Sequence, residues 1–309
     1  MRYKTLGLRI TNDCDLSCSM CCDYSESCPS ITMNYENSKR YIVSSKDTPI
    51  EWIGFSGGEA FLHFDLLKEL ISISSSLGKS TSVITNGFWA DDYEKVEKRV
   101  VELKKAGLTV LGMSYDEFHA KFVPAHNIKN LIRAAKKLDI RATIQAVILN
   151  DSNVGDIINK IGADLSCIDI QFVPCSNVGN AAKNINPDRF IRETLPRGLF
   201  CGKKGSFPVD YDGTIRPCCN PYIYETELIV GNMCELDVPQ SLIKLKNNPF
   251  LYLLRNYGFD CFLDIVENNS LDITIPEKLV ISCELCSILF SKENYYLLLP
   301  FVYDYVKKL

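Results

Sequence analysis

The sequence has no long apolar run: nothing in its 309 residues approaches the ~20 consecutive apolar residues of a membrane span. Its first ten residues alternate charged and apolar positions and lack the apolar block of an export signal, so a cytoplasmic chain is expected. A basic surplus is missing too. With 34 Lys and Arg against 38 Asp and Glu, a net charge of −4, binding driven by nucleic-acid phosphates is not expected. Histidine is scarce: His63, His119 and His126 are all there is, and His119 reads as a packing or surface residue. Internal repeats and low-complexity tracts are lacking. What remains is ordinary globular material, 46% apolar and 23% charged, which excludes a disordered, fibrous or coiled-coil chain. The length suits one large α/β domain with an appendage, or two ordinary domains.

Cysteine is the exception to this ordinariness, at fourteen residues. Without an export signal, these thiols read as metal ligands or catalytic groups before disulfides. They are unevenly placed. Cys14, Cys18, Cys21, Cys22 and Cys28 crowd the start, and Cys201, Cys218, Cys219, Cys234, Cys261, Cys283 and Cys286 lie in the last third. Only Cys167 and Cys175 fall between, so two thiol-rich sites flank a cysteine-poor scaffold.

That scaffold reads as alternating strands and helices. Strands are predicted at 4–10, 51–55, 82–85, 109–114, 142–149 and 168–173, and helices at 35–45, 64–77, 92–106, 127–138 and 154–161. In the third helix Tyr93, Val96, Val100 and Leu103 recur at three- and four-residue spacing, and Gly107 follows where a C-cap belongs. Six such units argue for parallel βαβ connections, in an incomplete barrel or an open sheet. In either, chemistry gathers at the carboxyl ends of the strands. Cysteines follow the first strand, Ser56-Gly57-Gly58-Glu59 the second and Asn86-Gly87 the third, while Ser114-Tyr115-Asp116 ends the fourth. Beyond about residue 196 the pattern breaks. Asp210-Tyr211-Asp212-Gly213 reads as a hairpin turn. Loops are expected around it, Lys203-Lys204 is a solvated pair, and helical pieces return at 240–246 and 295–308.

Cys14, Cys18 and Cys21 are spaced Cys-x3-Cys-x2-Cys on the loop after the first strand. Thiolates suit iron–sulfur clusters or zinc, and three of them leave one iron of a 4Fe–4S cube open, whereas a structural zinc wants four ligands. The run Cys14-Asp15-Leu16-Ser17-Cys18-Ser19-Met20-Cys21 resembles the signature of the radical S-adenosylmethionine (SAM) enzymes, Cys-x3-Cys-x-aromatic-Cys, with Met20 where the aromatic usually stands. Gly57-Gly58-Glu59 matches that family's Gly-Gly-Glu. The resemblance covers most of residues 4–175 and implies a partial (β/α)6 barrel. It further implies that Cys14, Cys18 and Cys21 hold a 4Fe–4S cluster that chelates S-adenosyl-L-methionine. Gly57, Gly58 and the Glu59 carboxylate would hold the methionine amino group, Met20 would lie near the adenine, and Asn86 and Ser114 would meet the ribose or carboxylate. One-electron cleavage of the sulfonium then yields a 5′-deoxyadenosyl radical that takes a hydrogen atom from substrate.

A second constellation is Cys201, then eleven residues, Gly213, four residues, Cys218, and later Cys283-Glu-Leu-Cys286. It resembles the SPASM/twitch extensions of radical SAM enzymes, which implies an auxiliary 4Fe–4S cluster on Cys201, Cys218, Cys283 and Cys286. A full SPASM domain carries seven cysteines, and only Cys234 and Cys261 remain to be added here, so the one-cluster twitch form fits better. A zinc staple on the same four ligands is the rival, and Cys261 the alternative ligand. Cys219, beside Cys218, resembles the hydrogen-donor cysteine of peptide or aminoglycoside epimerases. Cys22 and Cys28 are alternative donors. Asp210 is a candidate for orienting substrate or a proton, besides opening its turn.

The expected organisation is a radical SAM barrel at 1–195, a small cysteine-rich twitch domain at 196–290 and a terminal helix at 291–309. The expected activity is epimerisation of a residue in a ribosomal precursor peptide, with an electron donor such as flavodoxin or ferredoxin as partner. Thioether or carbon–carbon cross-linking of a peptide, and epimerisation or dehydrogenation of a sugar or aminocyclitol, are the enzymatic alternatives. A zinc-stabilised, non-catalytic binding protein is the alternative of another class.

Overall fold

A computed structural model describes residues 3–22, 29–194, 197–202 and 205–308. The expected boundary at 195/196, Cys28 and Lys203-Lys204 lie outside the described residues.

The first half alternates as the periodicity predicts: β1 Thr5–Arg9, α1 Tyr35–Val43, β2 Trp52–Ser56, α2 Phe64–Ser76, β3 Ser80–Thr85, α3 Tyr93–Ala106, β4 Val110–Ser114, α4 Ala125–Lys137, β5 Arg141–Ile148, α5 Val154–Ile161, β6 Asp169–Pro174 and a short α6 Gly179–Asn184. Helix α3 shows the local logic. The Asp92 side chain accepts the Lys95 N–H at 2.8 Å, Val96, Val100 and Leu103 are buried, and Gly107 closes the helix at φ 106°. A side chain at Gly107 would also strike Ser75, with a Cβ 2.1 Å from its Oγ.

The six strands are parallel and pair in chain order, β1 to β6. The first three strands alternate buried and accessible positions. Leu6 and Leu8 of β1, Ile53 and Phe55 of β2 and Val83 of β3 are buried against the helices, with Tyr41, Leu67, Leu70, Ile71, Val100 and Leu131 in the same core. Each such side chain contributes about 1.5–3 kcal/mol on burial. The other face carries Thr5, Gly7 and Arg9 on β1 and Trp52, Gly54 and Ser56 on β2, all partly accessible. Glycine pairs with glycine there, Gly7 with Gly54, so no side chain stands on the inner face at that level.

The second half follows as β7 Glu193–Thr194, β8 Ser206–Val209, β9 Thr214–Ile215, β10 Gly231–Asn232, α7 Val238–Asn247, α8 Pro249–Asn256, α9 Asp260–Asn268, β11 Lys278–Leu279, α10 Ser282–Leu289 and α11 Lys292–Lys307. The β8–β9 hairpin turns where Asp210-Tyr211-Asp212-Gly213 predicts: Asp210 N–H bonds Thr214 O at 2.9 Å, and Gly213 has φ 87°. Two features depart from expectation. β8 adds to the sheet as a parallel neighbour of β1, giving the order β10-β9-β8-β1-β2-β3-β4-β5-β6. Besides α7, where a helical piece is expected at 240–246, the segment expected to be loops also holds α8, α9 and α10, because short capped turns replace long periodicity. Asp237 and Gln240 form a capping box with Pro239 in the first turn of α7, and Asn248 caps α8 with Pro249 at its start. Among the described residues no helix is long and apolar enough to cross a membrane.

Candidate active site

The cysteine loop leaves β1 at Ile10 and returns beside it. Asn12 N–H bonds Ile31 O at 3.1 Å, and Met33 N–H bonds Ile10 O at 2.8 Å. The Asn12 amide closes the loop's neck, donating to Pro29 O at 2.8 Å and accepting from Ile31 N–H at 2.7 Å. His63 stands behind it, 2.8 Å from Asp13 Oδ2 and 3.0 Å from Thr32 Oγ1. Hydrogen bonding from Ser30, then from His63 and Thr11, outweighs burial and holds the Asp13 carboxyl below the usual range.

Glycine makes the rest possible. Gly58 N–H bonds Thr11 O at 2.8 Å and Glu59 N–H bonds Asp13 O at 2.6 Å, so the strand-end backbone lies directly on the loop. A Cβ at Gly58 would sit 2.2 Å from Asp13 O, and one at Gly57 2.7 Å from Thr11 O. On the other flank Gly179, at φ 61°, is equally constrained: its Cβ would meet the Cys22 carbonyl carbon at 2.5 Å. There Asn180 N–H bonds Cys21 O at 2.9 Å. Sequence reading missed Gly179, whose one signal is a glycine just past the sixth strand.

The expected ligand contacts divide. Cys14 is exposed, Cys18 buried and Cys21 between. Burial pushes the Cys14 thiol up to about 11 and Cys18 up to about 12, and repulsion from Cys21 adds to both. Nearby iron would reverse that shift, since metal coordination deprotonates thiols. Asn86 reaches the loop, its amide donating to Asp15 Oδ1 at 2.8 Å and lying 3.8 Å from Cys14 Sγ. Ser114 is partly exposed at the end of β4, paired with Gln145. Met20 packs beside the small apolar cluster of Phe118, Leu149 and Cys175.

Glu59 faces into the protein. Its carboxylate is 1% exposed. It accepts from Asn86 N–H at 2.7 Å, Phe61 N–H at 3.0 Å and Thr85 Oγ1 at 2.9 Å. It therefore ties the ends of β2 and β3 together from behind, and burial pushes it up to about 7 against those hydrogen bonds. Asp116 is likewise buried and takes the His119 ring at 2.9 Å, which makes His119 a packing residue as expected.

Asp210, at the end of β8, is buried between two guanidiniums. Arg9 Nη1 lies 3.1 Å from Oδ1, Arg216 Nε 2.8 Å from Oδ2, and Tyr224 OH donates at 3.0 Å. Arg9 and Arg216 both stack on the Tyr224 ring, at 4.8 and 4.9 Å.

The second cysteine group also converges. One pocket is lined by Cys201, Cys218, Cys283 and Cys286 together, among apolar residues including Ile223, Leu251, Leu254 and Phe259. Cys283 and Cys286 share a face of α10 by their three-residue spacing. Burial pushes Cys218 up to about 12 and Cys286 well above the ordinary thiol range, and repulsion from Cys201 and Cys283 adds to both. Cys261 does not join them; it is buried in α9 with its thiol 3.2 Å from Gly258 O. Cys234 is exposed and accepts from Asn37 Nδ2 at 3.4 Å. Cys219 is exposed outside the pocket, 3.3 Å from Ser206 Oγ. Among the described residues no three His, Cys, Asp or Glu groups are drawn together around a point that would hold a single metal ion.

Residues 8–161 match the Radical SAM superfamily. Over its whole length the chain is 31% identical to the "Putative peptide biosynthesis protein YydG" of Bacillus subtilis (strain 168), covering 98% of that protein. The chain belongs to the radical SAM superfamily. It is therefore a radical SAM enzyme, and S-adenosylmethionine and a 4Fe–4S cluster are the cofactors typical of that superfamily. A "Probable GTP 3',8-cyclase" of Methanococcus vannielii is 24% identical over 258 residues, covering 70% of this chain and 84% of that one. Among solved structures, anSMEcpe with bound AdoMet and Cp18Cys peptide superposes with a TM-score of 0.58 at 17% identity, over 98% of this chain and 99% of that one. The shared fold is the α/β partial barrel with further C-terminal elements.

Proposed function

We propose that this radical SAM enzyme acts on a ribosomal precursor peptide and inverts the configuration of one of its residues, with Cys219 returning the hydrogen atom. Full-length similarity to a protein named for peptide biosynthesis supports a peptide substrate. One observation carries the rest. Of two adjacent cysteines, Cys218 lines the four-thiol pocket, while Cys219 stands exposed outside it. Its neighbour Ser206 pairs with Thr5, on the sheet face shared with Arg9 and Ser56. Ser206 lies four residues from Asp210 along β8, about 13 Å from the end of the sheet where the first cysteine loop sits. A peptide residue between the two ends can lose hydrogen toward one and receive it from the other.

Cys14, Cys18 and Cys21 would hold the first cluster, with S-adenosylmethionine against Gly57, Gly58, Asn86 and Ser114 and Met20 near the adenine. Bound there, the pair supplies a radical able to take a hydrogen atom. Glu59 serves from behind, fixing the backbone that touches the ligand. The Cys219 S–H bond then breaks homolytically and its hydrogen goes to the opposite face of the substrate carbon. The sulfur, left one electron short, regains an electron from a flavodoxin- or ferredoxin-type donor and a proton from solvent. Cys201, Cys218, Cys283 and Cys286 would hold an auxiliary 4Fe–4S cluster beside that sulfur, with residues 196–290 as the twitch domain. Asp210 is a positioning residue, holding Arg9 and Arg216 toward the chamber.

Turnover in D2O tests the reading. A thiol hydrogen exchanges with solvent, so an epimerised peptide should carry one deuterium at the inverted carbon, and Cys219→Ala should still produce 5′-deoxyadenosine but no inverted residue. A product lighter by two hydrogens would establish cross-linking or dehydrogenation, and full activity of Cys219→Ala would remove Cys219 as donor. Metal analysis separates cluster from zinc: about eight irons per chain are expected, four at each site.

A further inference from the structure

Arg255 is the unexplained charge of the second cysteine pocket. It sits near the end of α8 and lines the pocket together with Cys201, Cys218, Cys283 and Cys286. Its donors go to neutral partners only: Nη1 to Leu245 O at 3.3 Å, and Nη2 to Tyr3 OH. The guanidinium also lies 4.8 Å from the centre of the Tyr3 ring. Among the described residues no carboxylate pairs with it, and burial is the one influence on its acidity, lowering it to about 10. It thus stays cationic at neutral pH. A cation taken from water into apolar surroundings is costly unless an opposite charge meets it. Apart from Tyr222, whose phenol is pushed well above its ordinary range by burial and so stays protonated, every other group lining this pocket that can carry charge is a cysteine.

We propose that Arg255 is the built-in counter-charge of the auxiliary cluster and raises its reduction potential. This rests on the reading of the pocket as a 4Fe–4S site. Four thiolates around such a cube in its oxidised form leave a net negative charge, and adding an electron deepens it. A fixed cation in a low-dielectric wall favours the reduced form more than the oxidised one. Tyr3 extends the arrangement to the ligand segment: its hydroxyl donates to Pro217 O at 3.3 Å, one residue before Cys218. Arg255 therefore acts on the cluster by charge and on Cys218 by position.

The test uses the full chain with Cys14, Cys18 and Cys21 changed to alanine, leaving only the second site able to hold iron. Midpoint potentials are read by EPR-monitored titration, beside iron and sulfide content. Arg255→Gln should make reduction about tenfold less favourable, a 59 mV drop for one electron, while Arg255→Lys stays near the parent. Equal potentials in the parent and Arg255→Gln at full iron content would overturn the proposal. If Arg255→Gln loses iron, Arg255→Lys decides: retained iron at the parent potential supports the charge, and loss of iron there overturns it. A parent that takes up zinc and no iron overturns the cluster reading itself, which is a different outcome from unchanged potentials.

Discussion

The two cysteine groups are built in opposite ways. The first is local: three thiols within eight residues, on one loop, shaped by backbone laid against backbone at Gly57, Gly58 and Gly179. The second is assembled from three distant stretches, Cys201, Cys218 and the Cys283–Cys286 turn of α10, and its walls are apolar side chains. The loop leaves Cys14 exposed, as the proposed ligand-exchanging site would require. The pocket holds none of its four cysteines exposed: all are half-buried among apolar side chains. Accessibility and the means of support differ together, and that pairing can be attacked.

The largest effect is expected at the loop. Gly58→Ala places a Cβ against the Asp13 carbonyl, and displacement of the loop by about 1 Å should cut S-adenosylmethionine cleavage by roughly 100-fold, measured as 5′-deoxyadenosine. The pocket should respond in composition instead: Cys201→Ala should remove about four irons per chain and leave the other four, by metal and sulfide analysis.

Glu59→Gln probes the loop's polar support. The new amide turns a donor toward Asn86 N–H, which should cost about 1–3 kcal/mol in denaturant unfolding at neutral pH. The wild-type carboxyl is raised from its ordinary 4.5 to about 7 in the fold. Folding thus favours its protonated form, and its contribution is full below about pH 4.5 and lost as pH rises through 7, about 3 kcal/mol across that window. The glutamine variant should show a flatter profile. Asp210→Asn leaves Arg9 and Arg216 weakly held and should raise KM for peptide severalfold with a smaller change in kcat, and Asp210→Glu should recover part of the loss. The smallest effect is expected outside both groups: Cys234→Ser, exposed, should change stability by less than about 0.5 kcal/mol and iron content not at all.

The contrast also explains what the sequence disclosed. Local features were legible: the strand–helix alternation, the buried stripe of α3, the hairpin at Asp210-Tyr211-Asp212-Gly213 and the thiol spacing of the loop all depend on neighbours within a few residues. The four pocket cysteines were legible only through resemblance, since no spacing rule brings Cys201 to Cys286. Long-range roles were not legible. That Glu59 points inward depends on Thr85 and Asn86, two strands' breadth of chain away, and Asp210 looks like a turn residue until Arg9 and Arg216 close on it. The helical piece expected at 240–246 is α7, but α8 to α10 escaped because short capped helices carry too few turns for periodicity to register.

The place of β8 has a consequence for how the chain is made. Until residues 206–209 leave the ribosome, the first strand has a bare flank along Leu6 and Leu8, although all its other neighbours have already been synthesised. An open parallel strand of that kind is a template for pairing with another nascent copy. Expression of residues 1–195 alone should accordingly give insoluble material, and the final third acts as the cover that lets the opening third stay in solution.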